Sequence, residues 1–208
     1  MQKDFLSEFL GNQARARILR LLTAVADTEY TLDEIRKKAQ MKSAAAVQRE
    51  LTVLARLGLL KTGLVETESG TGTKMKIVQA KVWALDREHP YAQALRLFVR
   101  DTQQPIDEGV VSELRRSGKL RLIIASGRFL DADGGVHDGI DLIIVGENMN
   151  ESKVQGTLRT IEADRGREIL YAIFSPKEFK FRLDVQDRLI RDVLDYPHHI
   201  LFDKLNVL

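Results

Sequence analysis

The chain of 208 residues has no cysteine, four histidines, four prolines and a single tryptophan. The missing thiols remove disulfide staples, thiol catalysis and cysteine-based zinc sites, so core packing has to stabilise the fold. So few histidines also argue against a His-rich metal centre. No apolar run approaches the roughly 18 residues of a membrane span, and Met1 to Asp4 lead into an amphipathic pattern rather than a signal-peptide core. A cytoplasmic protein without a membrane partner is expected. What is present is globular composition, 44% hydrophobic and 30% charged, with room for one large domain or two small ones.

The net charge of +2 conceals an asymmetry. Up to Leu85 there are 14 basic and 9 acidic residues, a balance of +5; beyond it 18 basic face 21 acidic, a balance of −3. Opposite balances imply different partners for the two parts. An excess of +5 is too small to identify nucleic acid, so the placement of the charges must decide.

From Asn12, a candidate N-cap, the residues Ile18, Leu21, Leu22 and Val25 follow helical spacing to about Ala26. Thr31 followed by Glu34 is a capping-box signature and opens a short helix through Ala39. Ser43 then caps a third helix, with Val47, Leu51 and Leu54 on one stripe and Gly58 as its stop. Its other face, Ala45, Arg49, Thr52 and Arg56 flanked by Ala44 and Gln48, is suited to a duplex. Small side chains permit close approach, Gln pairs with adenine, and Arg pairs with guanine or phosphate. The plainer alternative is a solvated amphipathic helix. Strands are expected over Leu59 to Thr67 and Lys74 to Leu85, joined by the turn-rich segment 68–73, with Lys61, Lys74 and Lys76 along the hairpin.

This order of three helices and a basic hairpin, over about residues 5–86, resembles the winged helix-turn-helix family. Residues 49–60 look like its recognition helix running into the wing. The resemblance implies a DNA-binding domain over residues 1–86 with the third helix in the major groove. Lys42, Ser43, Ala45, Gln48, Arg49, Thr52, Lys61, Lys74 and Lys76 would contact DNA, the lysines positioning and Gln48 and Arg49 reading bases. A winged helix used only for protein contacts is the alternative.

Residues 87–118 are expected to link the domains through helices carrying Tyr91, Leu95, Phe98 and Val99 and then about Asp107 to Arg116. Beyond Lys119, short apolar runs (Leu120 to Ala125, Ile140 to Val145, Glu168 to Phe174) alternate with helices. One covers Ser152 to Ala163, one starts at the Ser175-Pro176-Lys177-Glu178 cap, and a last carries Leu189, Ile190, Val193 and Leu194. An apolar tail, Ile200-Leu201-Phe202, follows Pro197. A small mixed-sheet α/β domain over residues 119–208 is expected, giving an α+β, two-domain chain.

Two segments of that domain, Ile123 to Phe129 and His137 to Gly146, resemble the strand, Gly-Ser turn and Asp-x-Asp strand of minimal nucleotidyltransferases. That resemblance implies a ligand pocket at Ser126, Gly127, Arg128, Asp138 and Asp141. The departures argue against activity. Metal-dependent transfer needs two carboxylates on one strand face, at i and i+2, yet Gly139 occupies the position paired with Asp141. Asp138, at i−3, requires a bulge at Gly139 to join it. Ala125 replaces the family's glycine. The loop 131–135, His137 and the pair His198-His199 read as surface features rather than metal ligands.

The expectation is therefore a double-stranded-DNA-binding transcriptional regulator. Its nucleotidyltransferase-like domain is expected to be inactive and to serve dimerisation or sensing of a nucleotide-like effector, and the chain to be a homodimer without a cofactor. The alternatives are a nucleotidyltransferase using Mg2+ through Asp138 and Asp141, and an antitoxin-like partner protein.

Overall fold

The computed structural model describes residues 4–25, 27–69, 76–102, 108–126 and 139–206. Among the described residues the chain is mixed α+β, with nine helices and two small sheets. It divides into two units. One is Phe5–Thr102 with Ala163–Arg167; the other is Met1–Asp4, Gln103–Glu162 and Glu168–Leu208.

In the first unit, α1 (Phe5–Leu10) and α2 (Gln13–Ala24) are separated by Gly11, whose φ of +58° suits a residue without a Cβ. Asn12 caps α2 by accepting the Arg15 N–H at 3.1 Å, as its position predicts. Ala16, Ile18, Leu19, Leu21 and Leu22 are all buried, and so is Arg20, so α2 is the central helix of this unit. Thr31 and Glu34 form the expected capping box at α3 (Leu32–Lys38). Glu34 N–H donates to Thr31 Oγ1 at 3.3 Å and Thr31 N–H donates to Glu34 Oε2 at 2.7 Å. Ser43 caps α4 (Ala44–Arg56) through the Ala46 N–H at 3.4 Å.

β2 (Leu60–Ser69) and β3 (Lys76–Leu85) pair antiparallel from Leu60 opposite Leu85 to Ser69 opposite Lys76. A two-residue strand, β1 (Tyr30–Thr31), adds to β3 opposite Trp83 and Val82, giving the order β1-β3-β2. Two residues are too few to leave an alternation signal, so this strand was not expected. Helix α5 (Ala92–Asp101) was expected in a linker; it packs on α2 and falls within the first unit.

The second unit is built on a four-stranded sheet. It comprises α6 (Glu108–Arg115), β4 (Lys119–Ser126), β5 (Leu142–Glu147), α7 (Glu151–Arg165), β6 (Tyr171–Phe174), α8 (Pro176–Asp184), α9 (Arg188–Leu194) and β7 (His198–Asp203), although residues 163–165 of α7 group with the first unit. The sheet order is β6-β5-β4-β7, with β5 and β6 parallel and the other pairs antiparallel. The apolar runs of β4 and β5 fit a sheet covered on both faces. On one face Ile123, Ala125, Leu142 and Ile144 pack with Val111 and Leu114 of α6 and Val154 and Leu158 of α7. On the other, Leu122, Ile124, Ile143 and Val145 pack with Phe179 of α8 and with Ile190 and Val193 of α9. The segment expected as an apolar tail is β7, the edge strand on β4. Its reading failed because the run His198-His199-Ile200-Leu201-Phe202 does not alternate.

Two outcomes follow. Leu51 is fully buried in the first core, so Leu51→Ala should lower the unfolding free energy measured in denaturant by about 2–5 kcal/mol. At α8, the Ser175 N–H and hydroxyl both donate to Glu178 Oε2 at 3.0 Å and hold its carboxyl below the ordinary 4.5. A carboxyl depressed on folding stabilises above the unfolded value and loses that contribution as pH falls through the lower folded value. Denaturation midpoints of Glu178→Gln should therefore fall less steeply than those of the natural protein below about pH 4.5.

Candidate nucleic-acid interface

The orientation of α4 follows from what it buries. Val47, Leu51 and Leu54 enter the core, and a carboxylate at the stripe's edge fixes the helix further. Glu50 accepts from Asn12 Nδ2 through Oε1 and from Arg15 Nε through Oε2, each at 2.8 Å, which ties α4 to the first turn of α2. Opposite this attachment, Ala44, Ala45, Gln48, Arg49, Thr52, Ala55 and Arg56 are exposed. The Thr52 hydroxyl donates to the Gln48 carbonyl at 2.7 Å, so its proton is used within the helix. Gln48 Nε2 lies 3.5 Å from that hydroxyl, and its carboxamide remains exposed. Among the described residues, Arg49, Arg56 and Lys42 have no ion-pair or hydrogen-bond partner.

Lys42 and Ser43 lie on a cleft of about 310 Å³ beside the first turns of α2 and α4, with Gln13, Ala14, Arg17, Gln40, Met41 and Ala46. Ser43 spends its oxygen on the cap, and Arg17 Nε is paired with Asp164 at 2.8 Å. Among the described residues, Lys42 is therefore the cation of this cleft without a carboxylate partner.

The hairpin differs from what its lysines imply. Lys61 Nζ lies 3.1 Å from Asp86 Oδ1 and 3.8 Å from Glu88 Oε1, and the hydrogen bond to Asp86 raises its pKa. Its charge is matched within the chain. Lys74 lies outside the described residues; Lys76 is placed by its backbone pairing with Ser69, and its side chain is likewise outside. Lys81 is exposed, with Nζ 5.4 Å from the centroid of the Trp83 ring, and Glu66, Leu64 and Ile77 are exposed on the same ribbon.

At the second sheet, Ser126 and Asp141 meet where β4 ends and β5 begins. Ser126 N–H donates to the Asp141 carbonyl at 2.9 Å, and the Ser126 hydroxyl oxygen is buried without a hydrogen-bond partner among the described residues. Asp141, 1% exposed, clasps the segment before β6: its N–H donates to Leu170 O at 2.6 Å and its Oδ2 accepts from Leu170 N–H at 2.8 Å. The expected strand from Ile140 starts at Leu142, so Asp141 precedes the regular strand on which the alternation argument was based. Gly127, Arg128, the loop 131–135, His137 and Asp138 lie outside the described residues. Among the described residues, no group of three or more His, Cys, Asp or Glu could hold a metal ion.

No protein-family model, curated protein or solved structure matches the chain.

Missed from the sequence are Glu50, its partner Arg15, the second role of the N-cap Asn12 as a donor to Glu50, and the cleft residues Gln13, Arg17 and Gln40. Glu50 had a local signal, since it sits three residues after Val47 beside the apolar stripe. Nothing local pairs it with residues 35 and 38 positions away. The Asp141 geometry gives a test. Asp141→Ala removes the acceptor facing the Leu170 N–H and should cost about 1–3 kcal/mol, whereas Asp141→Asn, which keeps an oxygen there, should cost less in the same denaturation measurement.

Proposed function

We propose that the chain is a double-stranded-DNA-binding transcriptional regulator of the winged-helix type that acts as a homodimer. One observation carries this reading: α4 is held by its apolar stripe and by Glu50, while the opposite face offers Gln48, Arg49 and Arg56 to solvent. Helices α2, α3 and α4 and then the β2–β3 hairpin come in the order on which the resemblance rests, with α1 and β1 as additions to it. In this reading α4 enters the major groove, where Ala44 and Ala45 permit close approach. Gln48 pairs with adenine, and Arg49 with guanine or phosphate. Lys42 and Arg56 bind phosphates at the two ends of the helix. Because Lys61 is paired with Asp86, the wing's contact to the backbone falls to Lys74, Lys76 and Lys81.

The second unit, in this proposal, senses a nucleotide-like effector at the end of the sheet where Ser126 and Asp141 meet, or helps to pair the chains. The Asp141 carboxylate is engaged with the Leu170 backbone, which favours such a role over metal-dependent nucleotidyl transfer.

The test is selection from a random duplex pool, followed by titration of the selected duplex at several salt concentrations. The natural protein should bind with a steep negative salt slope, and Lys42→Ala should reduce that slope by about one unit. Gln48→Ala and Arg49→Ala should each cost about 1–3 kcal/mol on the selected duplex and relax the sequence selected. Absence of salt-dependent duplex binding would overturn the reading.

A further inference from the structure

The second unit carries a cluster of cations that the reading of α4 does not use. Arg115, in the last turn of α6, holds its Cζ 4.4 Å from the centroid of the Phe202 ring on β7, and Lys204 Nζ lies 5.8 Å from the same centroid. The Lys204 N–H donates to the Arg121 carbonyl at 2.7 Å, which sets the end of β7 beside the start of β4. There Lys119 Nζ and Arg121 Nη2 share one carboxylate, Glu147, at 3.0 and 2.8 Å. Arg116 follows Arg115 and pairs with Glu113 at 2.8 Å. Asp203, the neighbour of Lys204, accepts through Oδ1 from the N–H groups of Leu205 and Asn206. Among the described side chains, Arg115, Arg116, Lys119, Arg121 and Lys204 thus meet the carboxylates of Glu113, Glu147 and Asp203 only. The excess is local, because beyond Leu85 the chain has 21 acidic residues against 18 basic ones.

We propose that this cluster, centred on Arg115 and Lys204, is a second nucleic-acid contact that grips the phosphate backbone of a duplex without reading its sequence. The choice of a duplex as the polyanion rests on the reading above; the residues are independent of it. Arg115, Lys119 and Lys204 are exposed. An aromatic ring attracts a cation without neutralising it, so Phe202 positions Arg115 and Lys204 while both keep their charge. An ion pair would position them and cancel it. Among the described residues, neither has a carboxylate partner. A guanidinium already held in place loses less freedom on binding, and its fork of N–H donors matches two phosphate oxygens. The ring also separates a duplex from a single strand. Sequence-tolerant binding of single strands uses open aromatic faces on which bases stack, and Phe202 is half-buried with Arg115 over its ring. What the cluster offers is charge, which is what a duplex backbone takes.

Titration of the full chain with a duplex of random sequence, at several salt concentrations, tests this, with circular dichroism melts to confirm folding. Arg115→Gln and Lys204→Gln should each reduce the salt slope by about one unit, and by the same amount on any duplex sequence. Glu147→Gln, which leaves Lys119 and Arg121 without their carboxylate, should tighten binding, a gain that a damaged fold does not produce. Lys180→Gln, at an exposed position on α8 over the other face of the sheet, should leave the slope unchanged. Unchanged slopes in Arg115→Gln and Lys204→Gln, in a protein whose binding still yields to Lys42→Ala, overturn this surface and leave the α4 reading standing. Binding that yields to Arg115→Gln and Lys204→Gln but not to Lys42→Ala, Gln48→Ala or Arg49→Ala sustains the surface and removes the α4 reading. A natural protein that ignores duplexes, or that binds anionic lipid vesicles through these residues in their place, overturns the proposal.

Discussion

Everything proposed for the first unit depends on α4 having one permitted rotation about its axis. Three buried aliphatic side chains would allow some roll, because apolar contacts are not directional. The two hydrogen bonds to Glu50 remove that freedom: a carboxylate accepting from an amide and a guanidinium at 2.8 Å has directional preferences that a methyl group lacks. Half-burial strengthens this pairing relative to a surface ion pair, and Asn12 takes part while also capping α2. The start of one helix and the rotation of another are thus set by the same few atoms. The polar face of α4 is presented as a consequence.

The second unit uses a different device for a similar end. Its sheet is covered on both faces, so Leu122 to Ala125 of β4 and Leu142 to Val145 of β5 are apolar without a break. Polar groups sit at both ends of the β4–β5 pair: at one, Asp141 grips the Leu170 backbone and Ser126 lies against it, and at the other Glu147 pairs with Lys119 and Arg121. A buried carboxylate oxygen that accepts from a backbone N–H positions the segment carrying that N–H. The same residue type that suggests metal chemistry in a motif serves here as a clasp between β5 and the approach to β6.

The parts of the fold that were legible in the sequence were those with local causes. Asn12, the Thr31 and Glu34 pair, Ser43, and the Ser175 and Glu178 pair each satisfy backbone donors within three residues, and each helix start was read correctly from them. Helical stripes of three or four apolar residues were equally readable. Long-range pairing was not: β1 exists because Tyr30 and Thr31 lie beside Trp83 and Val82, and β7 because β4 had a free edge. The candidate interface divides in the same way. Gln48 and Arg49 could be placed on an outward face from periodicity alone, while the pairing of Lys61 with Asp86 depends on how the hairpin returns beside its own base.

In the proposed function, the exposed face of α4 meets a double helix. Backbone amide NMR spectra recorded while a duplex is titrated in address it residue by residue. The largest shifts should map to Lys42, Ala44, Ala45, Gln48, Arg49 and Thr52 and fade as salt is added. Shifts confined to other elements, with α4 unmoved at saturating duplex, would contradict it.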